Sequence, residues 1–453
     1  MEKFYLDRYL ARQPGSGGAG MDFEKICKQI ALDFMLEWEK GREDVNQVLE
    51  IQKNAIIGYA KEVGYFKSKI AGFIKKYKAG SVICPHWYQS LEDAIYHENW
   101  GLAGVAEWFG EAMRDSSSAK VIGDRIYFME DGAMNLKPQK IAKERREQLV
   151  RAFLLLTPQE RLDKEFHEIY MLDGTRVTIF RGGMTKSDQD VIIFRRYVVP
   201  TYSFEEQAAR GSIPAEAIPL FHSMVDTGYN VAFCGAVRSA KTTFLSTWQS
   251  YEDARLEGVM VETDPEIPLH KLMPEAPIVQ LIADHEKLKN IAKNLLRSDG
   301  DYFILAEARD GVALDTAVRM ARKGTRRMKI TFHTRDPLSF SYDIAVEIIR
   351  SMGGELEQTA VRVAGSFDYV FHFIQLRQKN QKRLKGVYEL GLDEKTRKIV
   401  MREICRYRYE RDDWMWNFHI SEDKRRAGEE EDPEAYRRFE AELRRLAKNA
   451  VKS

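Results

Sequence analysis

Residues 229–248 read YNVAFCGAVRSAKTTFLSTW: an apolar run, then a stretch of small residues, then Lys241 and Thr242. This order predicts a buried β-strand, a tight loop and an amphipathic helix. In such a loop the backbone N–H groups wrap a phosphate, the lysine reaches its terminal oxygens, and the hydroxyl binds Mg²⁺ beside the favourable dipole of the helix N-terminus. The stretch therefore predicts a phosphate-binding loop, and an ordinary strand–turn–helix is the alternative.

The loop departs from the usual pattern G-x-x-x-x-G-K-[ST] at one glycine. Gly235, Lys241 and Thr242 fit the pattern, whereas Ala240 stands where the second glycine belongs. A Cβ atom at that point crowds the ligand or strains the turn by roughly 1–3 kcal/mol. The predicted phosphate contacts are Gly235, Ser239, Ala240, Lys241, Thr242 and Thr243.

Three further apolar runs follow at spacings suited to alternating strands and helices, and each ends in a chemically useful side chain. The runs are residues 258–261, 302–306 and 329–332, and they lead to Glu262, Glu307 and His333. Because the carboxyl ends of parallel strands line one crevice, these side chains are expected to converge on the phosphates. The alternative is that the glutamates cap strand ends and the histidine is a satisfied core residue.

Convergence of these groups suits phosphoryl transfer, whose transition state needs mainly Mg²⁺, positive charge and a group that positions the attacking water. Glu307 is assigned to orient or deprotonate that water, and Glu262 to the metal or its water shell. Thr242 is predicted to bind Mg²⁺ directly. His333 is predicted to sense the γ-phosphate or to link it to the next strand.

Four of these stretches together resemble the type II/IV secretion system ATPase family, in the branch that drives tight-adherence pili. The family loop GxxxxGKTT appears as GAVRSAKTT, and its acidic segment TIEDTPEL appears as MVETDPEI at residues 260–267. Its Walker B segment DRIIVGEVRGxEALD appears as DYFILAEARDGVALD at residues 301–315. Its His box LTTIHANSP appears as MKITFHTRDP at residues 328–337, and the similarity extends over about residues 101–408.

The resemblance also implies roles for several arginines. LDGTRVTIF at residues 172–180 and VIIFRRY at residues 191–197 are similar to the family's N-terminal half, in which arginines at the domain junction act on the nucleotide. The arginines that receive this role at the domain junction are Arg176, Arg195 and Arg196. Arg309, which lies two residues after the Walker B glutamate, is assigned to nucleotide binding as well.

What the resemblance implies for the whole chain is an α/β fold with a RecA-like P-loop NTPase core, a mostly parallel sheet with flanking helices. A mixed α/β domain and a helical bundle are expected to precede that core. The implied activity is that of a cytoplasmic motor, a homohexamer that uses ATP and Mg²⁺ and docks on an inner-membrane pilus or secretion platform protein. Hydrolysis is expected to change the angle between two domains and so drive the membrane machine.

The departures from the family leave a second hypothesis open. Family glycines are replaced by Ala236, Arg238 and Ala240, Ala306 precedes the Walker B glutamate, and Thr325 replaces the first histidine of the His box. A position that requires positive φ costs a non-glycine residue about 1 kcal/mol or more. The chain is therefore either a working motor or a nucleotide-sensing or structural subunit of the same machine. The loop arginine is interpreted as solvated, with a phosphate contact as its alternative.

Composition bounds both hypotheses. The 453 residues are 44% hydrophobic, which is enough for two or three domains, and the formal net charge is +1. Because this charge is near zero, bulk affinity for nucleic acid or anionic membrane is disfavoured, and with it a DNA-translocating ATPase. The scattered cysteines lack CxxC spacing and predict reduced thiols of a cytosolic protein. They are Cys27, Cys84, Cys234 and Cys405.

Five segments are predicted along the chain: residues 1–20, a possible fused peptide with a Gly/Ser linker; 21–90, a helical bundle; 91–199, a mixed α/β domain; 200–420, the RecA-like nucleotide-binding domain; and 421–453, a charged helical tail. The run PGSGGAG is typical of a flexible tether and favours an engineered fusion over a natural N-terminal arm. One strand is predicted at residues 121–128. The tail is predicted to be a solvated helix, and docking of its stripe, Phe439, Leu443 and Leu446, on a neighbouring subunit is the alternative.

Overall fold

The computed structural model describes residues 22–40, 45–156, 165–196, 202–263, 266–283, 285–295, 300–308, 310–378, 380–393 and 395–452. The chain divides into two compact units, residues 1–197 and 198–453. The predicted peptide and linker of residues 1–20 and the candidate residue Arg309 lie outside the described ranges.

The first unit begins with four helices that share one apolar core. They are α1 Phe23–Lys40, α2 Val45–Ile57, α3 Ala60–Lys76 and α4 Leu91–Asn99. Aromatic rings fill the centre, with ring centroids 4.5 Å apart for Phe34 and Trp100 and 5.3 Å apart for Phe66 and Trp100. Burial of such large rings supplies most of the free energy that holds short helices together.

The rest of the first unit is a six-stranded antiparallel sheet with the order β3-β2-β1-β6-β5-β4. Its elements are β1 Ser118–Ile122, β2 Arg125–Glu130, β3 Ala133–Lys140, α5 Lys143–Leu154, β4 Phe166–Tyr170, β5 Arg176–Phe180 and β6 Val191–Arg195. The single strand predicted at residues 121–128 is wrong. Gly123 has a φ of +62°, so the chain turns there, and Ile122 pairs with Arg125 in a hairpin.

The second unit contains a nine-stranded sheet with the order β15-β14-β13-β12-β7-β11-β10-β8-β9. The strands are β7 Val231–Gly235, β8 Gly258–Glu262, β9 Ile278–Ile282, β10 Tyr302–Ala306, β11 Lys329–Phe332, β12 Tyr369–Gln375, β13 Lys382–Leu392, β14 Ile399–Arg408 and β15 Asp413–Trp416. The neighbours from β12 to β9 pair in parallel, and β13 to β15 extend the sheet as antiparallel strands.

Helices of the second unit cover this sheet on both faces. They are α6 Phe204–Ala209, α7 Ile218–Asp226, α8 Lys241–Ser250, α9 Leu269–Leu272, α10 His285–Leu295, α11 Gly311–Arg322, α12 Phe340–Met352, α13 Leu356–Ala364, α14 Glu422–Glu431 and α15 Pro433–Lys452. Val231 and Phe233 of β7 enter one apolar cluster, and Ala232 and Cys234 enter the other. Continuous burial of β7 follows from this two-sided cover, because every side chain meets a helix layer.

The C-terminal tail differs from its prediction as a solvated helix. Phe439, Leu443 and Leu446 are buried in the same apolar cluster as Tyr229 and Tyr369, so the stripe packs within its own unit. The charged residues of α15 lie on its other side, as expected for an amphipathic helix against a core. No helix within the described ranges is both long and apolar enough to cross a bilayer.

Candidate functional site

The predicted phosphate-binding stretch folds as a strand, a loop and a helix. β7 ends at Gly235, residues 236–240 form the loop, and α8 begins at Lys241. Gly235 has a φ of +142°, and a Cβ atom there would lie 2.1 Å from the carbonyl oxygen of Phe373 in β12. Only glycine fits at this position, because both the backbone conformation and the neighbouring strand exclude a side chain.

Two other loop residues adopt left-handed conformations without being glycine. Arg238 has a φ of +63° and Ala240 a φ of +76°. Each costs about 1 kcal/mol or more relative to an ordinary backbone conformation. The loop therefore keeps a left-handed residue where the usual pattern has its second glycine, at the expense of local strain.

Lys241 lies at the centre of the site. Lys241 is buried, and its Nζ atom donates a hydrogen bond of 2.8 Å to the carbonyl oxygen of Ala236. The same Nζ atom lies 3.4 Å from Nδ1 of His333, which follows the end of β11. Since β7 and β11 are parallel neighbours, the start of α8 and the end of β11 meet at the same edge of the sheet. The structure thus brings together the predicted lysine and histidine.

Glu307 follows β10 on a strained turn. Its φ is +56°, and its backbone N–H donates a hydrogen bond of 2.7 Å to Oγ1 of Thr331 in β11. The next N–H, that of Ala308, donates to the carbonyl oxygen of Thr331 at 3.0 Å. A bulky non-glycine residue in this region of φ is uncommon, and such residues cluster at functional sites.

Glu262 ends β8 and is buried. Its Oε1 atom accepts hydrogen bonds from the backbone N–H groups of Glu266, at 3.1 Å, and of Ile267, at 3.0 Å. In the sheet it pairs with Ala306, the residue before Glu307. One oxygen of this carboxylate is therefore held by the segment that follows β8, and the metal role of Glu262 stays a prediction.

Three other predicted phosphate contacts lie in or after the loop. Ser239 is fully buried, and its Oγ atom has no hydrogen-bond partner among the described residues. Thr242 and Thr243 are half-buried in the first turn of α8. A buried hydroxyl without a partner is unusual in a folded protein, and an anion in the loop would satisfy it.

The three predicted arginines of the first unit differ in their surroundings. Arg196 lies over the ring of Trp108, with its guanidinium carbon 4.1 Å from the ring centroid, and donates hydrogen bonds to the carbonyl oxygens of Met113, Arg114 and Trp108. Burial lowers its pKa. Arg195 is exposed at the end of β6. Arg176 lies 3.9 Å from Glu168. Their action on a nucleotide stays a prediction.

Residues that sequence reasoning missed lie next to the loop. His372 of β12 is buried and pairs with Cys234 in the sheet. Burial, followed by the charge of Lys385, lowers its pKa to about 4. Lys382 is half-buried, and burial followed by the like charge of Arg238 lowers its pKa to about 8. A polar residue inside an apolar run, as in FDYVFHFIQ, is the signal that could have identified the histidine.

The donor set fits magnesium-bound ATP. An ammonium group, a hydroxyl at a helix N-terminus and an orphaned buried hydroxyl suit phosphate oxygens. Within the described ranges, no group of three or more His, Cys, Asp or Glu side chains is arranged to hold a metal ion.

Comparison with known proteins gave no matching family model and no matching curated protein. Solved structures that match this chain include the VirB11 ATPase of the Brucella suis type IV secretion system in complex with sulphate, at 16% identity and a TM-score of 0.34, over 63% of this chain and 92% of that one. The ATPase DotB of Legionella pneumophila is similar at 15% identity and a TM-score of 0.44, over 73% and 85%. The pilus retraction motor PilT with bound ADP is similar at 14% and 0.46, over 74% and 89%.

Proposed function

We propose that this chain is an ATP hydrolase with a RecA-like P-loop core, and that ATP and Mg²⁺ bind on residues 235–243. The observation that carries the proposal is the approach of Lys241 Nζ to His333 Nδ1, at 3.4 Å, on the edge of the sheet where Glu307 follows β10. A lysine, a histidine and a carboxylate at one sheet edge are the groups that phosphoryl transfer needs, which supports this proposal over a purely structural cluster.

The order of the strands supports this placement. β7 lies between β11 and β12, and the chain continues from it to strands on one side before it returns to β12 on the other side. In open sheets of this kind, ligands bind outside the carboxyl ends of the strands at the point where the order reverses. The loop of residues 236–240 lies at that point.

Each residue has a defined task in the proposed reaction. Lys241 would exchange the carbonyl oxygen of Ala236 for phosphate oxygens, and Thr242 would hold the metal ion. Glu307 would orient the attacking water and accept its proton, while His333 would report the state of the phosphates to β11. Magnesium-bound ATP supplies the transferable phosphoryl group and the neutralising charge.

The wider proposal is a motor for a membrane secretion or pilus machine, in the tight-adherence branch of the type II/IV secretion ATPases. It would form a cytoplasmic homohexamer docked on an inner-membrane platform protein. Arg176, Arg195 and Arg196 would act on the nucleotide from the first unit. Support comes from the order and spacing of the four motifs, GAVRSAKTT, MVETDPEI, DYFILAEARDGVALD and MKITFHTRDP.

A second candidate is a nucleotide-sensing or structural subunit without turnover. The left-handed Arg238 and Ala240 favour it, because a strained loop that carries Cβ atoms approaches phosphate less closely than one built of glycines. The two candidates share the fold and differ in whether phosphate is released.

Phosphate release by purified full-length protein tests the proposal. Wild type is expected to show Mg²⁺-dependent turnover, and both Lys241→Ala and Glu307→Gln are expected to abolish steady-state turnover. Lys398→Ala and Glu430→Gln remove an exposed charge of the same kind and serve as matched controls with wild-type rates. Turnover that survives either site substitution would contradict the assigned roles.

Binding and assembly separate the candidates. If wild type binds a non-hydrolysable ATP analogue but releases no phosphate from ATP, the protein is the sensor. If wild type neither binds the analogue nor releases phosphate from ATP, it is a structural subunit. Sedimentation with and without nucleotide measures the subunit number, for which six is expected.

A further inference from the structure

We propose that Thr331 is the positioning residue for Glu307, and this inference rests on the proposed ATP hydrolysis at that site. Thr331 lies in β11, is buried, and binds both N–H groups that follow β10. Its Oγ1 atom accepts from the N–H of Glu307 at 2.7 Å, and its carbonyl oxygen accepts from the N–H of Ala308 at 3.0 Å.

The reason for such a contact is the conformation of Glu307. With a φ of +56°, this residue would relax to an ordinary backbone conformation if its surroundings did not hold it. Relaxation of φ would change the direction in which the Cα–Cβ bond of Glu307 points and so move the carboxylate away from its present position. Thr331 opposes this with both of its acceptors, because rotation about the backbone bonds of Glu307 would move the N–H of Ala308 relative to that of Glu307, and Thr331 binds both groups.

Thr331 also connects the two halves of the site. It pairs with Phe233 of β7, two residues before the loop glycine, and it lies two residues before His333. His333 contacts Lys241. Thr331 in β11 and His333 just after it therefore connect the backbone of Glu307 to the phosphate-binding lysine, so this short segment links the carboxylate and the lysine.

The test compares Thr331→Val with Thr331→Ser. Valine keeps the branched shape and removes the acceptor, whereas serine keeps the hydroxyl. Because a carboxylate misplaced by about 1 Å costs up to 100-fold in rate, Thr331→Val is expected to lower kcat 10- to 100-fold with KM changed less than about 3-fold. Thr331→Ser is expected to retain most of the wild-type kcat, because it keeps the hydroxyl. Thr316→Val is the matched control, since the hydroxyl of the buried Thr316 donates within its own helix, to the carbonyl oxygen of Val312.

A double-substitution cycle with Glu307→Gln separates positioning from general damage. Measured in single turnovers with enzyme in excess, Thr331→Val is expected to add less than about 2-fold to the loss in Glu307→Gln, because its effect passes through the carboxylate. Amide hydrogen exchange of residues 302–308 is expected to be faster in Thr331→Val than in Thr331→Ser.

The outcomes are distinguishable. If wild type releases no phosphate, both the proposed function and the role of Thr331 fail. If wild type turns over and the valine and serine variants have equal kcat, only the role of Thr331 fails. A full additional loss from Thr331→Val in the Glu307→Gln background would also overturn it, because the effect would then be structural.

Discussion

Lys241 and His333 are 92 residues apart in the chain, and their side-chain nitrogens lie 3.4 Å apart. Parallel pairing of β7 with β11 produces this contact, since it brings the residue after β11 to the loop after β7. A hydrogen bond from the lysine ammonium to Nδ1 requires the tautomer of His333 with its ring proton on Nε2. In that tautomer the histidine would help to hold the ammonium at the loop.

His333→Ala tests this contact. Loss of the ring removes one contact of the Lys241 ammonium, so the ammonium is less well placed for phosphate. We expect kcat/KM for ATP to fall 10- to 100-fold, which corresponds to about 1.4–2.7 kcal/mol of transition-state stabilisation. His270→Ala removes an exposed histidine of α9 and should have wild-type kinetics. Equal kinetics in the two variants would refute the role of His333.

Ala240→Gly tests the strain of the loop. At a φ of +76°, glycine removes the steric cost of a Cβ atom, while its freedom in the unfolded chain costs a similar amount. We expect the free energy of unfolding to change by less than about 1 kcal/mol and ATP affinity to rise several-fold. Ala441→Gly, in the exposed face of α15, should instead lower stability by about 0.5–1 kcal/mol without changing affinity. Calorimetric binding and urea unfolding measure both effects.

Lys329, at the start of β11, forms a buried ion pair with Glu252. Nζ of Lys329 lies 2.7 Å from Oε1 of Glu252, and Arg327 binds the other carboxylate oxygen at 2.7 Å. Burial lowers the pKa of Lys329 despite this pairing. Lys329→Met removes one of the two cations that hold Glu252 and leaves one carboxylate oxygen without its ion-pair partner, so it is expected to cost about 1–3 kcal/mol in urea unfolding.

A surface ion pair gives the contrast. Lys53 and Glu50 lie 3.3 Å apart on α2 with both side chains accessible, so Lys53→Met is expected to cost less than about 0.5 kcal/mol. Similar costs for the two lysine substitutions would show that the buried pair is better solvated than its burial indicates.

His372 predicts a pH dependence of stability. Burial, the largest cause, lowers its pKa from 6.5 to about 4, so between these pH values the unfolded chain binds more protons than the folded one. Stability from this residue is therefore present above pH 6.5 and lost as the pH falls towards 4, by about 3 kcal/mol. His372→Gln should flatten the difference in unfolding free energy between pH 7 and pH 4.5, while His86→Gln should leave it unchanged. An identical pH profile for wild type and His372→Gln would contradict the prediction.

Strands of the second unit were predictable because their apolar runs are short and bounded. The run Val231 to Phe233 and the three runs before Glu262, Glu307 and His333 all form strands of the nine-stranded sheet. A continuous apolar run is typical of a strand that is covered on both faces. A polar residue directly after such a run indicates where the strand reaches its carboxyl end.

Other features depend on contacts between distant residues, which local patterns do not contain. The stripe of Phe439, Leu443 and Leu446 identifies an amphipathic helix but not the surface that it covers. The role of Thr331 depends on the backbone conformation of Glu307, which a sequence of common residues does not reveal. The buried charge of Lys329 was missed because lysine at a strand start is usually solvated.

The amino end of β7 is held by the C-terminal helices. Asp368, just before β12, accepts a hydrogen bond from the N–H of Asn230 at 2.8 Å and forms an ion pair with Lys424 of α14 at 2.7 Å. β7 is thus held at its amino end and is followed at its carboxyl end by the strained loop. If phosphate binding displaces the loop after β7, we expect α8 and β11 to move and the amino end of β7, which is tied to α14, to stay in place.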